Sequence, residues 1–193
     1  MVKEADKKQI AQIYDTYLVN DFPKSEVKPL KKILDGVDCG KYFVCVYYGE
    51  EQADFEMQDF KAYAFFIKSS VSNAYLLDYF AVLEGSRSSG IGSAFLQELK
   101  QMVKKMGGHL ILEVENPDYE QEGAQKDYML KRIGFYQKNG INVSGVSCEF
   151  CGNQYKLLYG GQPTSDEVIR KETEELYLDF FGQDFIEKNC RFN

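Results

Sequence analysis

The 193-residue sequence has one histidine, His109, four prolines and no apolar run near the roughly 18 residues a membrane span requires. Without paired histidines, a metal site would have to be built from cysteine. Cys148-Glu149-Phe150-Cys151 has the C-x-x-C spacing of a zinc or redox site, but no second such pair follows it, so no metal is expected. The five cysteines are odd in number and scattered over Cys39, Cys45, Cys148, Cys151 and Cys190; they read as free thiols rather than a disulfide framework. Positive charge is also short, with 23 Lys and Arg against 30 Asp and Glu and a formal net charge of −7. That balance argues against a nucleic-acid partner, whose affinity comes mainly from neutralised phosphates, and suits a cationic one. Met1 to Lys7 lacks the apolar stretch of a signal peptide, so a cytoplasmic location with no membrane partner is expected.

What is present fits an ordinary folded chain: 44% hydrophobic and 27% charged residues over a length that supports one sizeable core. Residues 1–160 are expected to form one domain, and 161–193 a C-terminal helical extension packed on that domain or on a partner subunit. Lys7 to Leu18 and Val27 to Leu34 carry apolar residues at helical spacing, broken at Phe22-Pro23. After Gly36 the texture turns β-branched and aromatic, predicting strands at Tyr42 to Tyr48, Ala62 to Ile67 and Ala74 to Val82. Ile91, Phe95, Leu99, Met102, Val103 and Met106 mark an amphipathic helix ending at Gly107-Gly108. His109 to Val114 reads as a buried strand with His109 at its boundary. Ala124 to Asn139 reads as a helix with Met129, Leu130, Ile133 and Tyr136 in register, closed by Gly140. Strands near Ile141 to Phe150 and Gln154 to Tyr159 follow, then the hinge Gly160-Gly161-Gln162-Pro163. Thr164-Ser165-Asp166-Glu167 predicts a capping box, with Val168, Ile169, Leu176, Tyr177 and Phe180 on the apolar face behind it. If Leu176, Tyr177, Phe180 and Phe181 are exposed, that face is the natural contact of a homodimer.

The chemistry concentrates between Ala74 and Met106, where a strand, a Gly/Ser turn and a helix follow in succession. Such a turn gathers backbone N–H groups and the positive end of a helix dipole around one concavity, which suits an anion. Three motifs compete for it. The ATP-binding loop fails because Ile91-Gly92 stands where Lys-Ser/Thr is required, and the dinucleotide fingerprint fails because Phe95 occupies the place of the third glycine. The pattern [Q/R]-x-x-G-x-[G/A] is met by Arg87-Ser88-Ser89-Gly90-Ile91-Gly92.

With that turn preceded by Phe80-Ala81-Val82, the sequence resembles the GNAT superfamily of acetyltransferases. Arg132-Ile133-Gly134-Phe135-Tyr136-Gln137-Lys138-Asn139-Gly140 looks like the superfamily's FY-x-x-x-G segment, and Leu112-Glu113-Val114-Glu115-Asn116 like the strand before it. The resemblance covers about Tyr42 to Tyr159. It implies an α+β (α/β) fold with a mixed, mostly antiparallel sheet of six to seven strands flanked by helices. It also implies acetyl-CoA as co-substrate and transfer of the acetyl group to a primary amine by direct attack on the thioester. Phe80, Ala81 and Val82 would pair with the pantetheine amides, and Arg87, Ser88, Ser89, Gly90, Ile91, Gly92 and Ser93 would hold the pyrophosphate. Tyr136 would be the acid. Glu113 and Glu115 share one face of their strand, where a carboxylate beside an apolar cleft has a raised pKa suited to an amine. Glu113 matches the superfamily's Leu-Glu-Val glutamate and is the chosen base, with Glu115, Asp78 or a water as alternatives. Cys39 and Cys45 are discounted as nucleophiles, since direct transfer needs none. The acceptor, a small-molecule or peptide amine, could be a polyamine, an amino acid, an aminoglycoside or a protein N-terminus. Phe22, Tyr63 and Phe65 read as core before pocket. A non-catalytic acyl-CoA-binding or regulatory module of the same fold is the alternative.

Overall fold

The computed structural model describes residues 1–49, 59–162 and 164–193. Most of the polar stretch between the first two predicted strands, and Pro163 of the predicted hinge, lie outside the described residues. Eight strands are present among the described residues: β1 (Val2–Glu4), β2 (Tyr42–Tyr47), β3 (Ala62–Lys68), β4 (Ala74–Val82), β5 (His109–Glu115), β6 (Ile141–Phe150), β7 (Asn153–Gly160) and β8 (Cys190–Phe192). They follow the order β1-β2-β3-β4-β5-β7-β6-β8. The pairs β1/β2, β2/β3, β5/β7, β6/β7 and β6/β8 are antiparallel, and β4/β5 is parallel. The sheet is therefore mixed and mostly antiparallel, as expected. It exceeds the expected six to seven strands because β1 and β8, three residues each, are too short to show a periodicity. Six helices of seven residues or more accompany them among the described residues: α1 (Lys7–Ile13), α2 (Leu30–Asp38), α3 (Ile91–Lys105), α4 (Ala124–Lys138), α5 (Asp166–Phe181) and α6 (Gln183–Asn189).

The chain resolves into two compact units, the first formed by Met1–Lys68 and Asp78–Leu99. Here α1 opens on a capping box: the Asp6 carboxylate accepts from Gln9 N (2.8 Å) while the Gln9 side chain accepts from Asp6 N (2.9 Å). A π-helical turn, Tyr14–Leu18, and a short helical turn, Val19–Asp21, carry the chain to Phe22. Helix α2 starts at Leu30 rather than Val27 and runs past Leu34 to Asp38 with Gly36 buried within it; the stop is Gly40, with φ +72°. Strands β2 and β3 pair from Tyr42↔Ile67 to Tyr47↔Ala62, and β3 is buried on both faces from Ala62 to Ile67. Tyr63 and Phe65 are fully buried core residues, and Phe22 packs edge-on against Tyr79 at 5.0 Å.

The second unit comprises Ser69–Leu77 and Lys100–Asn193. Its β4 residues pair with β5 from Ala74↔His109 to Leu77↔Leu112, and β6 and β7 form a hairpin closed by Cys151 (φ 51°) and Gly152 (φ 82°). Helix α4 buries Met129, Ile133 and Tyr136 at i, i+4 and i+7; Leu130, expected in this stripe, lies one residue around the helix and is 50% exposed. Helix α5 starts one residue later than predicted. Ser165 is the N-cap, its hydroxyl accepting from Val168 N (3.3 Å), so the third helical residue is Val168 rather than a glutamate that could complete a box. Val168 is 38% exposed, whereas Leu176 and Tyr177 are each 1% exposed. Tyr177 meets the rings of Phe150, Phe181 and Phe192 at 5.0 to 6.0 Å, so the face read as a dimer contact covers this unit's own sheet. His109, at the start of β5, meets Glu172 of α5 at 2.9 Å.

Candidate functional site

The first unit carries the turn between β4 and α3. Leu83 N donates to Lys61 O (2.9 Å) as β4 ends, and Ser86 N and Arg87 N donate back to Leu83 O and Glu84 O (2.8 and 3.2 Å), closing a 3₁₀ turn. The Ser89 hydroxyl donates to Ser86 O (2.6 Å), and Arg87 Nε donates to Val82 O (3.0 Å). Ser88 and Gly90 both have left-handed backbones, at φ 60° and 84°. Glycine adopts this conformation freely; serine pays about 1 kcal/mol or more for it. Among the described residues, the backbone N–H groups of Ser88 to Ser93 donate to no acceptor, and helical bonding starts with Ala94 N to Gly90 O (3.0 Å). Six successive donors thus stand at the positive end of a 15-residue helix. Arg87, 56% exposed at its side chain, adds a cation. Phe80, Ala81 and Val82, the last residues of β4, lie beyond the part of the strand that pairs with β5; the Phe80 ring stacks on Phe95 at 5.5 Å. Ile91, Gly92 and Ser93 form the partly exposed first turn of α3.

The candidate acid and bases are distributed between the two units. In the first, Asp78 accepts a hydrogen bond from the Tyr42 hydroxyl and pairs with Lys28 Nζ at 2.6 Å. Burial, reinforced by Asp78, holds the Tyr42 phenol well above its usual pKa. In the second, Glu115 is bound by Arg132 Nη1 at 2.5 Å. Glu113, half-buried on β5, sits across the ladder from Leu157. Its charge adds to burial in raising the thiols of Cys148 and Cys190, the latter to about 12. Tyr136 is buried on α4, edge-on to Phe135 at 5.3 Å, and its hydroxyl makes no hydrogen bond among the described residues. Burial raises its pKa against the opposing pull of Arg132, so the phenol is protonated at neutral pH. Helix α4 is held at its C-terminus by Gly140 (φ +71°) and by the Lys100 ammonium, which donates to Asn139 O (2.6 Å) and Gly140 O (3.1 Å).

Several partners of these residues left no trace in the sequence. Lys28 and Tyr42 are 50 and 36 residues from Asp78, and Arg132 is 17 from Glu115. No short motif or periodicity encodes contacts at such separations.

The sequence matches no protein-family model and no curated protein. The fold does match solved structures. A GNAT-family protein from Bacteroides thetaiotaomicron is similar over 95% of this chain and 99% of its own, at 18% identity and a TM-score of 0.73. A Bacillus subtilis acetyltransferase solved in complex with CoA is similar over 84% and 98%, at 13% identity and a TM-score of 0.56. The ribosomal-protein-S18-alanine N-acetyltransferase of Escherichia coli is similar over 86% and 97%, at 15% identity and a TM-score of 0.57. The element order, the mixed sheet and these likenesses agree: the chain has the GNAT fold, which it shares with these acetyltransferases.

Proposed function

We propose that this chain transfers the acetyl group of acetyl-CoA to a primary amine. The observation that carries the reading is the run of N–H groups from Ser88 to Ser93, set in an Arg-x-x-Gly-x-Gly turn at the start of α3. Donors without internal acceptors at a helix N-terminus form a preorganised site for a pyrophosphate. Phe80 to Val82 supply strand-edge groups for the amides of the pantetheine arm, as in strand addition to a sheet. The acidic balance of the sequence, −7, favours a cationic acceptor, a small molecule or a peptide amine.

In the reaction the amine nitrogen forms a bond to the thioester carbonyl carbon while the carbon–sulfur bond breaks. The nitrogen loses one proton to the base before attack and a second as the amide forms. One proton reaches the departing thiolate from the acid, which the second nitrogen proton restores, and the other leaves through the base to solvent. Tyr136 is the proposed donor, kept protonated by burial. Glu113, in the Leu-Glu-Val run, is the proposed base, directly or through a water. Asp78 and Glu115 are weaker choices because each carboxylate is engaged by a cation, Lys28 and Arg132. Positioning of amine and thioester supplies much of the remaining rate.

The test is an amine screen in acetyl-CoA with thiol release as readout. Turnover is expected for at least one amine. Tyr136→Phe and Glu113→Gln are each expected to lower kcat by about 10²-fold with little change in the KM for acetyl-CoA. CoA binding without turnover of any amine would instead favour an acyl-CoA-binding module.

A further inference from the structure

Three residues outside the turn converge on its arginine. Arg87 Nε is fixed to Val82 O at 3.0 Å, and Arg87 Nη2 lies 3.5 Å from Asp21 Oδ1. The other carboxylate oxygen, Asp21 Oδ2, accepts the Tyr63 hydroxyl at 2.7 Å. Tyr63 is fully buried on β3 and packed edge-on against Phe60 and Phe65, at 6.4 and 5.8 Å, so its hydroxyl is a rigid anchor. A line of contacts thus runs from the aromatic core through Asp21 to the guanidinium.

We infer that Asp21 is a positioning residue for the acyl-donor site, holding the Arg87 guanidinium in place for the phosphates; this rests on the reading of the Arg87 to Gly92 turn as a pyrophosphate site. A free arginine samples many rotamers, and ordering it on binding costs affinity. Here two tethers define the guanidinium plane before a ligand arrives. The hydrogen bond to Val82 O uses one of its five N–H donors, the ion pair with Asp21 orients the far side, and the remaining N–H groups are left for an anion. The Asp21 contact is long and half-exposed, so it adds little stability; its value lies in orientation.

The path of the chain supports the same reading. Asp21 is the last residue of the helical segment that begins at Lys7, and the π-helical turn Tyr14–Leu18 precedes it. Each residue of a helix advances about 100°, so the extra residue in the π turn changes the direction from which Asp21 leaves the helix. The turn also sets Tyr17 edge-on against Phe60 at 5.3 Å, beside the Tyr63 anchor. A π turn carries a cost in an otherwise α-helical run, and such turns are common where a side chain must be aimed at a functional site.

Titration calorimetry with CoA on the full chain, Asp21→Asn, Asp21→Glu, Arg87→Ala and the Asp21→Asn/Arg87→Ala pair tests this. Arg87→Ala is expected to weaken CoA binding about tenfold, and Asp21→Asn about three- to fivefold, with Asp21→Glu recovering most of that loss. In the Arg87→Ala background, Asp21→Asn should have no further effect, because its action passes through the arginine. A residue that merely secured the helix end would show the same loss in both backgrounds, which would overturn the inference. So would unchanged or tighter binding in Asp21→Asn while Arg87→Ala weakens it, with the cofactor turn left standing. If the unaltered chain binds no CoA, or Arg87→Ala binds it equally well, the pyrophosphate reading itself fails and the role of Asp21 falls with it.

Discussion

From Arg87 to Ser93 the first unit leaves the backbone donors of Ser88 to Ser93 open and presents one arginine, serines, glycines and Ile91. From Cys148 to Phe192 the second unit does the reverse, packing Phe150, Tyr177, Phe181, Phe185 and Phe192 ring against ring. The first region should therefore be sensitive to backbone geometry and tolerant of modest side-chain change, the second the opposite. A turn that leaves main-chain donors open needs unusual dihedrals, as at Ser88 and Gly90, while stability needs apolar volume.

The largest effect is expected in the second region. Tyr177→Ala removes a 1%-exposed ring and should cost about 3–5 kcal/mol, lowering Tm by roughly 10 °C, while the folded fraction binds CoA with unchanged affinity. Differential scanning calorimetry and a CoA titration below the transition check both halves.

Gly90→Val probes the other side. A Cβ at Gly90 would meet nothing within 4 Å, so any loss comes from forcing a β-branched residue into φ +84°. CoA affinity is expected to fall about 100-fold with a small change in Tm. Gly152→Val, at φ 82° in the β6–β7 hairpin, carries the same backbone strain and should leave CoA binding unchanged. Equal losses in both variants would erase the distinction between the regions.

The sequence showed the first region better than the second, for a physical reason. A tight turn between a strand and a helix is built from adjacent residues, so the spacing of Arg87, Gly90 and Gly92 marks it in the sequence. Strand β4 was legible for the same kind of reason, since its aromatic and β-branched run stands between turn residues. The pairing of Asp78 with Lys28, of Arg87 with Asp21 and of Phe150 on β6 with Tyr177 on α5 joins residues far apart in the chain, and local patterns do not carry it. Amphipathic periodicity also gave a stripe one residue too wide on α4, where Leu130 is exposed, and a cap one residue early on α5.

Thiol chemistry gives a smaller test. Cys45 and Cys190 are pushed up to about 12, first by burial and then by neighbouring carboxylates, and Cys148 further in the same direction. At pH 8 a disulfide reagent should modify the exposed Cys39 and Cys151 quickly and the other three only on unfolding. Above the ordinary thiol value of 9.0 the unfolded chain releases protons that the folded chain retains. Stability is thus present below that pH and should fall as pH rises toward about 12. Fast modification of Cys148 and Cys190 at pH 8 would show the second unit to be open, and that of Cys45 the first. At the lower end of the scale, Leu130→Gln on the exposed side of α4 should change stability by less than about 0.5 kcal/mol in a urea titration.

The central claim, that the Arg87 to Gly92 turn holds the pyrophosphate of acetyl-CoA, is tested most directly by titration calorimetry with acetyl-CoA, CoA, ATP and NAD on the unaltered chain and on Gly90→Val. Saturable one-to-one binding of acetyl-CoA and CoA but not of ATP or NAD, lost in Gly90→Val, is the predicted result. No binding of acetyl-CoA, or binding that Gly90→Val leaves intact, would contradict it.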